Sequence, residues 1–245
     1  MRTQLTLTLT AAACALLIGC SSSNESKKAE EQQAPPAAAA PDTAKPAEAP
    51  APAEPAKPEA QKADSSGLPA KAPSVYKVNM DTSKGMVVLE CHKAWSPRGA
   101  DHFYDLVKIH FYDDVRFFRV IHGFMAQFGI NGTPETNKVW ANASILDDPP
   151  AGQHNTRGMV TYGQTSMPNS RSTQLFINFG DNHFLDTQGF TPVCMVTSGM
   201  EAVDQIYAGY GESPDQGLIG SQGNAYLNSQ FPRLDYIKKA TIVLQ

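Results

Sequence analysis

The sequence predicts a mainly β fold, a closed β-barrel capped by two α-helices, over residues 74–245. Three observations point to it. Short runs rich in Val, Ile, Phe and Thr recur along this region, separated by Gly-, Asn- and Ser-containing breaks. Only two segments carry helical spacing, and they do not alternate with the strands as a parallel α/β fold requires. Several strands alternate in period two, so one residue set fills an interior while the other faces outward.

Taken in order, "VYKVNMDTSKGMVVLECH" (75–92) reads as two strands around a Ser83-Lys84-Gly85 turn. "SPRGADHFYDLVKIHFY" (96–112) reads as a helix, with Ser96 as N-cap and Pro97 in the first turn. Phe103, Leu106 and Val107 fall on its apolar face. "FFRVIHGFMAQFGI" (117–130) reads as one strand turning into another. Residues 131–157 are rich in Gly, Pro, Asn and Asp and read as a long loop. "GMVTYG" (158–163), "TQLFINFG" (173–180) and "FTPVCMVT" (190–197) read as strands, and "GMEAVDQIYAG" (199–209) as the second helix. A Gly-rich segment, 211–233, precedes a last strand, "KKATIVL".

The beginning of the chain has a different character. Arg2 precedes an apolar stretch, residues 5–18, too short and wrongly flanked for a transmembrane helix. It ends in "LIGC", Leu17–Cys20, which resembles the lipobox of bacterial lipoproteins. That resemblance implies a signal peptide, 1–19, cleaved before Cys20, and acylation of Cys20 with chains such as palmitate. Ser21 follows, not Asp, which by the custom of such lipoproteins places the anchor at the outer membrane, on the periplasmic face of a bacterial cell envelope. The alternative is an ordinary signal peptide cut at small residues. Residues 20–73 alternate Ala and Pro with scattered Lys and Glu and offer no apolar face to bury. They read as a disordered tether, stiffened toward polyproline II at ~3.1 Å per residue where extended. The formal charge is −4 with pI near 5.8, and the basic residues are dispersed, which argues against a nucleic-acid partner.

Arg119 is the odd residue of the domain, a permanent charge within "FFRVI". Buried without a partner it would cost several kcal/mol. Alternation puts it on one face with Phe117 and Ile121, opposite Phe118 and Val120. Met125 shares a face with Gln127, and Gln174 with Phe176. An apolar patch with three fixed polar groups, Arg119, Gln127 and Gln174, has the make-up of a binding cleft. The alternative is an ordinary surface ion pair of Arg119 with Asp113, Asp114 or Glu135.

"FFRVIHGFMAQFG", "PNSRSTQLFIN" and "DNHFLDTQGFTP" together resemble the signature blocks of cyclophilin-type peptidyl-prolyl cis/trans isomerases. "AWSPRGADHFYDLVK" and "FPRLDYIKKATIVL" fit the same family, in the same order. The resemblance implies an eight-stranded antiparallel barrel with the active groove on its outer face. It implies that Arg119 is catalytic, that Gln127 holds the substrate backbone, and that Gln174 orients the arginine. Phe124, Met125, Phe176 and Leu185 would line the proline pocket. Gly163 falls where the family has a small residue, and Phe184 where many members have tryptophan. His122, Phe128 and "PVCM" (192–195) also depart from the usual pattern. Substrates would be X-Pro segments of unfolded or exported proteins, met by a monomer.

This chemistry breaks no lasting bond, so no cofactor and no metal are expected. Cys91-His92 and His102 read as ordinary strand and helix residues, Asp147-Asp148 as a turn, and Asp181 and Asp186 lack calcium-loop spacing. "GQTSM" is not a nucleophile elbow. The second function class is a tethered proline-peptide binding module that keeps the groove with little or no turnover. Cys91 and Cys194 sit in strands where export permits a disulfide. Register argues against one, because Cys91 points inward while Cys194 lies one position off the inward Val193.

Overall fold

A computed structural model describes residues 72–140 and 142–243. The expected signal peptide, the acylated Cys20 and nearly all of the tether lie outside these residues. Ala72 is already buried, and its N–H donates to Asp101 Oδ1 over 2.9 Å.

Among the described residues nine strands form one curled antiparallel sheet: β1 Val75–Thr82, β2 Gly85–His92, β3 Val115–Arg116, β4 Arg119–Ile121, β5 Met125–Phe128, β6 Met159–Tyr162, β7 Leu175–Asn178, β8 Pro192–Ser198 and β9 Tyr236–Val243. Their order across the sheet is β3-β9-β1-β2-β8-β6-β7-β5-β4. The alternation read from the sequence holds in β1, where Tyr76, Val78, Met80 and Thr82 are buried and the residues between them are not. The two end strands are adjacent in the chain. Between them, Phe117 N–H donates to Asp235 O and Phe118 N–H to Gln127 O.

That junction corrects one expectation. Phe117 does not share the face of Arg119; it packs in the main core with Val120, Ala126 and Phe128. Phe118 turns instead into a second cluster with Ile130, Ile219, Leu227 and Leu234. Period two fails here because the strand leaves one partner, β9, for another, β5, and shifts its phase between them.

Among the described residues there are four α-helices rather than two: α1 Pro97–Lys108, α2 Pro134–Trp140, α3 Met200–Asp204 and α4 Gln216–Gln230. α2 lies inside the expected long loop, and the second expected helix is cut to five residues. α4 occupies the segment expected to be irregular. Asp215 caps it, accepting from Leu218 N–H at 2.8 Å, and Ile219, Gly223 and Leu227 form its buried stripe. Glycine is required in that stripe. A Cβ on Gly223 would stand 2.0 Å from the Gly132 carbonyl oxygen, and its φ of 60° kinks the helix. Low helix propensity at Gly217, Gly220 and Gly223 concealed the helix from a propensity reading.

Ser96 holds the N-cap position of α1, yet its side chain makes no capping bond to the helix. Asp148 does this from the far side of the sequence. Its carboxylate accepts from Gly99 N–H at 2.9 Å, Arg98 N–H at 3.1 Å and Ser96 Oγ–H at 2.6 Å. Arg171, only 2% exposed, lies 3.1 Å from the same carboxylate and also donates to Ser96 Oγ and the Leu146 carbonyl. The pair expected to be a plain turn, Asp147-Asp148, is thus half of a buried ion pair. Tyr76 and Tyr162 hydroxyls donate to the Ala100 and Gly99 carbonyls and pin the same helix turn to the sheet. Burial raises both phenol pKa values, so these donors stay protonated.

Cys91 and Cys194 are directly paired across β2 and β8 and form a disulfide, against the expectation. A bulge explains it. On β8, Cys194 faces Val160 and Pro192 faces Thr161, so Val193 is the extra residue and the alternation is broken. Val193 and Cys194 both end up in the core.

Both contacts can be checked by measurement. The oxidised, denatured domain should show no free thiol from Cys91 or Cys194, and reduction should lower its unfolding free energy by about 2–4 kcal/mol. Asp148→Ala should cost about 3–5 kcal/mol in urea denaturation, since Arg171 is left charged and buried. Burial pushes the Asp148 carboxyl up, but the bonds from Ser96, Gly99 and Arg98 and the charge of Arg171 outweigh it and hold the pKa below the ordinary 3.8. The unfolded chain therefore binds this proton first. The stabilisation is present above about pH 4 and is lost as pH falls through the lower folded value. Asp148→Asn should flatten that acid limb.

Candidate functional site

β4, β5 and β7 lie side by side at one end of the sheet, and their outward residues build the site. Register sets Arg119 opposite Gln127, and Gln127 opposite Phe176. Residues between them, Val120, Ala126 and Ile177, point into the core. The outward residues border a groove of about 470 Å³ lined by Arg119, Phe124, Met125, Gln127, Gly163, Gln164, Thr165, Ser170, Ser172, Gln174, Phe176, Leu185, Phe190 and Gln216. Its apolar floor is a small separate cluster, Met125, Phe176 and Leu185, packed by Ile121, Phe124 and Phe190. Eight of the nine site residues expected from the sequence therefore meet in one concavity. Phe184 is the exception. It stands 56% exposed at the rim, its ring 5.8 Å from that of Phe124.

The polar groups form a line. Arg119 Nη1 donates to Gln127 Oε1 at 3.3 Å, and Gln127 Nε2 donates to Gln174 Oε1 at 2.8 Å. Gln174 thus reaches the arginine through Gln127. On the other side, Arg119 Nε donates to Glu212 Oε1 at 2.6 Å and Nη2 meets the same oxygen. The partner of the odd charge is therefore Glu212, not Asp113, Asp114 or Glu135. Sequence reading missed it because the two lie 93 positions apart and Glu212 sits in a segment assigned no structure. The guanidinium also lies 5.9 Å from the centre of the Phe124 ring.

The 3-10 turn His183–Gln188 brings Leu185 to the groove. Asn182, at its start, donates to the Phe124 carbonyl at 2.9 Å and to Asn178 Oδ1 at 2.7 Å, which ties the turn to β5 and β7. Gly163 keeps the opposite wall low; a Cβ there would stand 3.4 Å from Gln127 Nε2. Gly129 positions Gln174. With φ at 109°, it lets the chain pass so closely that a Cβ would lie 2.3 Å from Thr173 O and 2.7 Å from Gln174 Cα.

The arrangement holds a cation beside an apolar cup, with the amide groups of Gln127 and Gln174 in line next to it. Gly129→Ala should displace residues 173–174, lower stability by about 2 kcal/mol or more in urea, and raise amide exchange at Gln174. Unchanged stability and exchange would disprove the close-approach account.

A model of the family described as cyclophilin type peptidyl-prolyl cis-trans isomerase/CLD matches residues 77–219. A peptidyl-prolyl cis-trans isomerase of Acinetobacter baylyi is 37% identical over 133 residues, 53% of this chain and 70% of that protein. Peptidyl-prolyl cis-trans isomerase B of Escherichia coli is 32% identical over 136 residues, 53% of this chain and 82% of that protein. In fold, the chain is similar to the crystal structure of a cyclophilin type peptidyl-prolyl cis-trans isomerase from Cryptosporidium parvum. That match has a TM-score of 0.53 at 18% identity and covers 70% of this chain and 99% of the other.

Proposed function

Since the chain belongs to the cyclophilin-type peptidyl-prolyl cis-trans isomerases, we propose that Arg119 drives the isomerisation of X-Pro bonds held in its groove by stabilising a twisted amide. An X-Pro bond resists rotation because the nitrogen lone pair is delocalised, with a barrier of ~18–20 kcal/mol. A donor aimed at that nitrogen favours the state in which conjugation is lost. The observation that carries the proposal is the placement of Arg119 at the edge of the Met125–Phe176–Leu185 cup, fixed by Gln127 and Glu212. Nε is taken by Glu212, and Nη1 is shared between Gln127 and Met125 Sδ, so the Nη2 end of the fork is the part offered to substrate once Glu212 gives way. The cup takes the prolyl ring, and Gln127 takes a backbone group while the other side of the bond turns. No group is transferred, so acceleration comes from binding the twisted amide more tightly than either planar form. About 7 kcal/mol of such preference gives roughly 10⁵-fold. The Cryptosporidium parvum protein was also solved in the presence of the dipeptide Ala-Pro, which supports X-Pro segments as the ligand class.

The sheet fits an eight-stranded closed barrel if β3 and β4 are counted as one strand, since Val115–Ile121 then joins both ends of the strand order. The chain would act as a monomer on unfolded or exported proteins, tethered through Cys20 to the periplasmic face of a bacterial outer membrane. "LIGC" and the Ala/Pro-rich segment support the tether. The Cys91–Cys194 disulfide supports an oxidising compartment.

Arg119→Ala should lower kcat/KM in a protease-coupled X-Pro assay by about 10²–10³, with much smaller loss of peptide binding. Arg119→Lys should not restore it, because an ammonium lacks the planar fork. A wild-type domain that binds X-Pro peptides without speeding their isomerisation would favour the binding-module reading. Separately, Cys20→Ala should move the protein out of the membrane fraction or block its processing; continued membrane retention of processed protein would count against the anchor.

A further inference from the structure

Beyond the groove, His154, His183 and Asp186 converge from two segments of the chain. Their ligand atoms all lie within 4.8 Å of one another. His154 Nδ1 is 2.9 Å and His183 Nδ1 3.4 Å from the same oxygen, Asp186 Oδ2. Two atoms bound to one tetrahedral zinc at ~2.0–2.1 Å stand about 3.3 Å apart, and the two histidine–carboxylate separations straddle that value.

The carboxylate is aimed. Asp186 Oδ1 is occupied by Asn155, whose backbone N–H donates at 2.9 Å and whose Nδ2 donates at 2.8 Å. Asn155 is wholly buried and is itself locked, donating to Phe190 O and accepting from Thr161 Oγ1. Only Oδ2 is turned to the two imidazoles. Carboxylates that ligate metals are held by just such outer hydrogen bonds. The imidazoles have 62% and 57% exposed side chains, which gives an ion a path from solvent and open coordination positions.

We propose that His154, His183 and Asp186 form a site for a divalent transition metal of the zinc, cobalt and nickel class. Two imidazoles and one carboxylate select such ions over calcium or magnesium, which prefer all-oxygen shells. In the ion-free chain both Nδ1 atoms lie within hydrogen-bond distance of Oδ2, where the Nδ1–H tautomer donates. With the ion bound, each carries its proton on Nε2 instead, so no other group has to take it up. The ion joins the 3-10 turn that carries Leu185 to the loop that precedes β6, and it fixes the outer end of that turn.

The test uses untagged full-length protein stripped with a chelator. Co²⁺ is titrated in and followed by its visible absorption, and Zn²⁺ by calorimetry. The expected result is saturable uptake of one ion, with Zn²⁺ displacing Co²⁺ and Ca²⁺ failing to compete. His154→Ala and His183→Gln, on separate segments, should each weaken affinity by at least about tenfold. Zn²⁺ should raise the melting temperature of the parent and leave both variants unmoved. Absence of saturable uptake, uptake unchanged in either variant, or equal competition by Ca²⁺ overturns the proposal. Isomerase activity enters none of these readouts, so the outcome is independent of the role proposed for Arg119.

Discussion

The buried pair of Arg171 and Asp148 is the constraint on which the rest of the structure leans. Each charge would be costly alone, and each is met by several partners at once. Through Asp148 the pair closes the first turn of α1. Through the Leu146 carbonyl it holds the loop before β6. Arg171 itself lies in the segment that delivers Ser170, Ser172 and Gln174 to the groove. One ion pair therefore joins α1 to one wall of the groove. This is why that wall can be built from a stretch with little regular structure.

The groove was legible in the sequence because strand periodicity is a local property. Arg119, Gln127 and Phe176 fall on one face by counting in twos, and pairing of neighbouring strands brings the faces together. What could not be read was anything that depends on distant partners. Glu212 is invisible from Arg119, and the order of the hydrogen-bonded line from Arg119 through Gln127 to Gln174 depends on side-chain positions that register alone does not set. The family resemblance names the three polar residues, and their side chains form a line with Gln127 between the other two.

The fold shows the same division. β1 and β2 were read from alternation and a Gly turn. The failures occur where alternation is broken by tertiary structure. At Phe117-Phe118 the strand changes partner, and at Val193 a bulge adds a residue. The bulge reverses the direction of Cys194 and turns an apparent mismatch into a disulfide. α4 was hidden for the opposite reason. Its glycines are poor helix formers, but close passage over the Gly132 carbonyl allows nothing larger at Gly223.

The two-faced use of β5 and β7 has an evolutionary consequence. Ala126, Phe128, Leu175 and Ile177 belong to the core, while Met125, Gln127 and Phe176, interleaved with them, belong to the groove. Substitutions on the outer set alter the surface of the groove and leave the interior packing alone. Selection for new recognition can therefore proceed on every second residue of these strands, while the residues between them keep the scaffold unchanged.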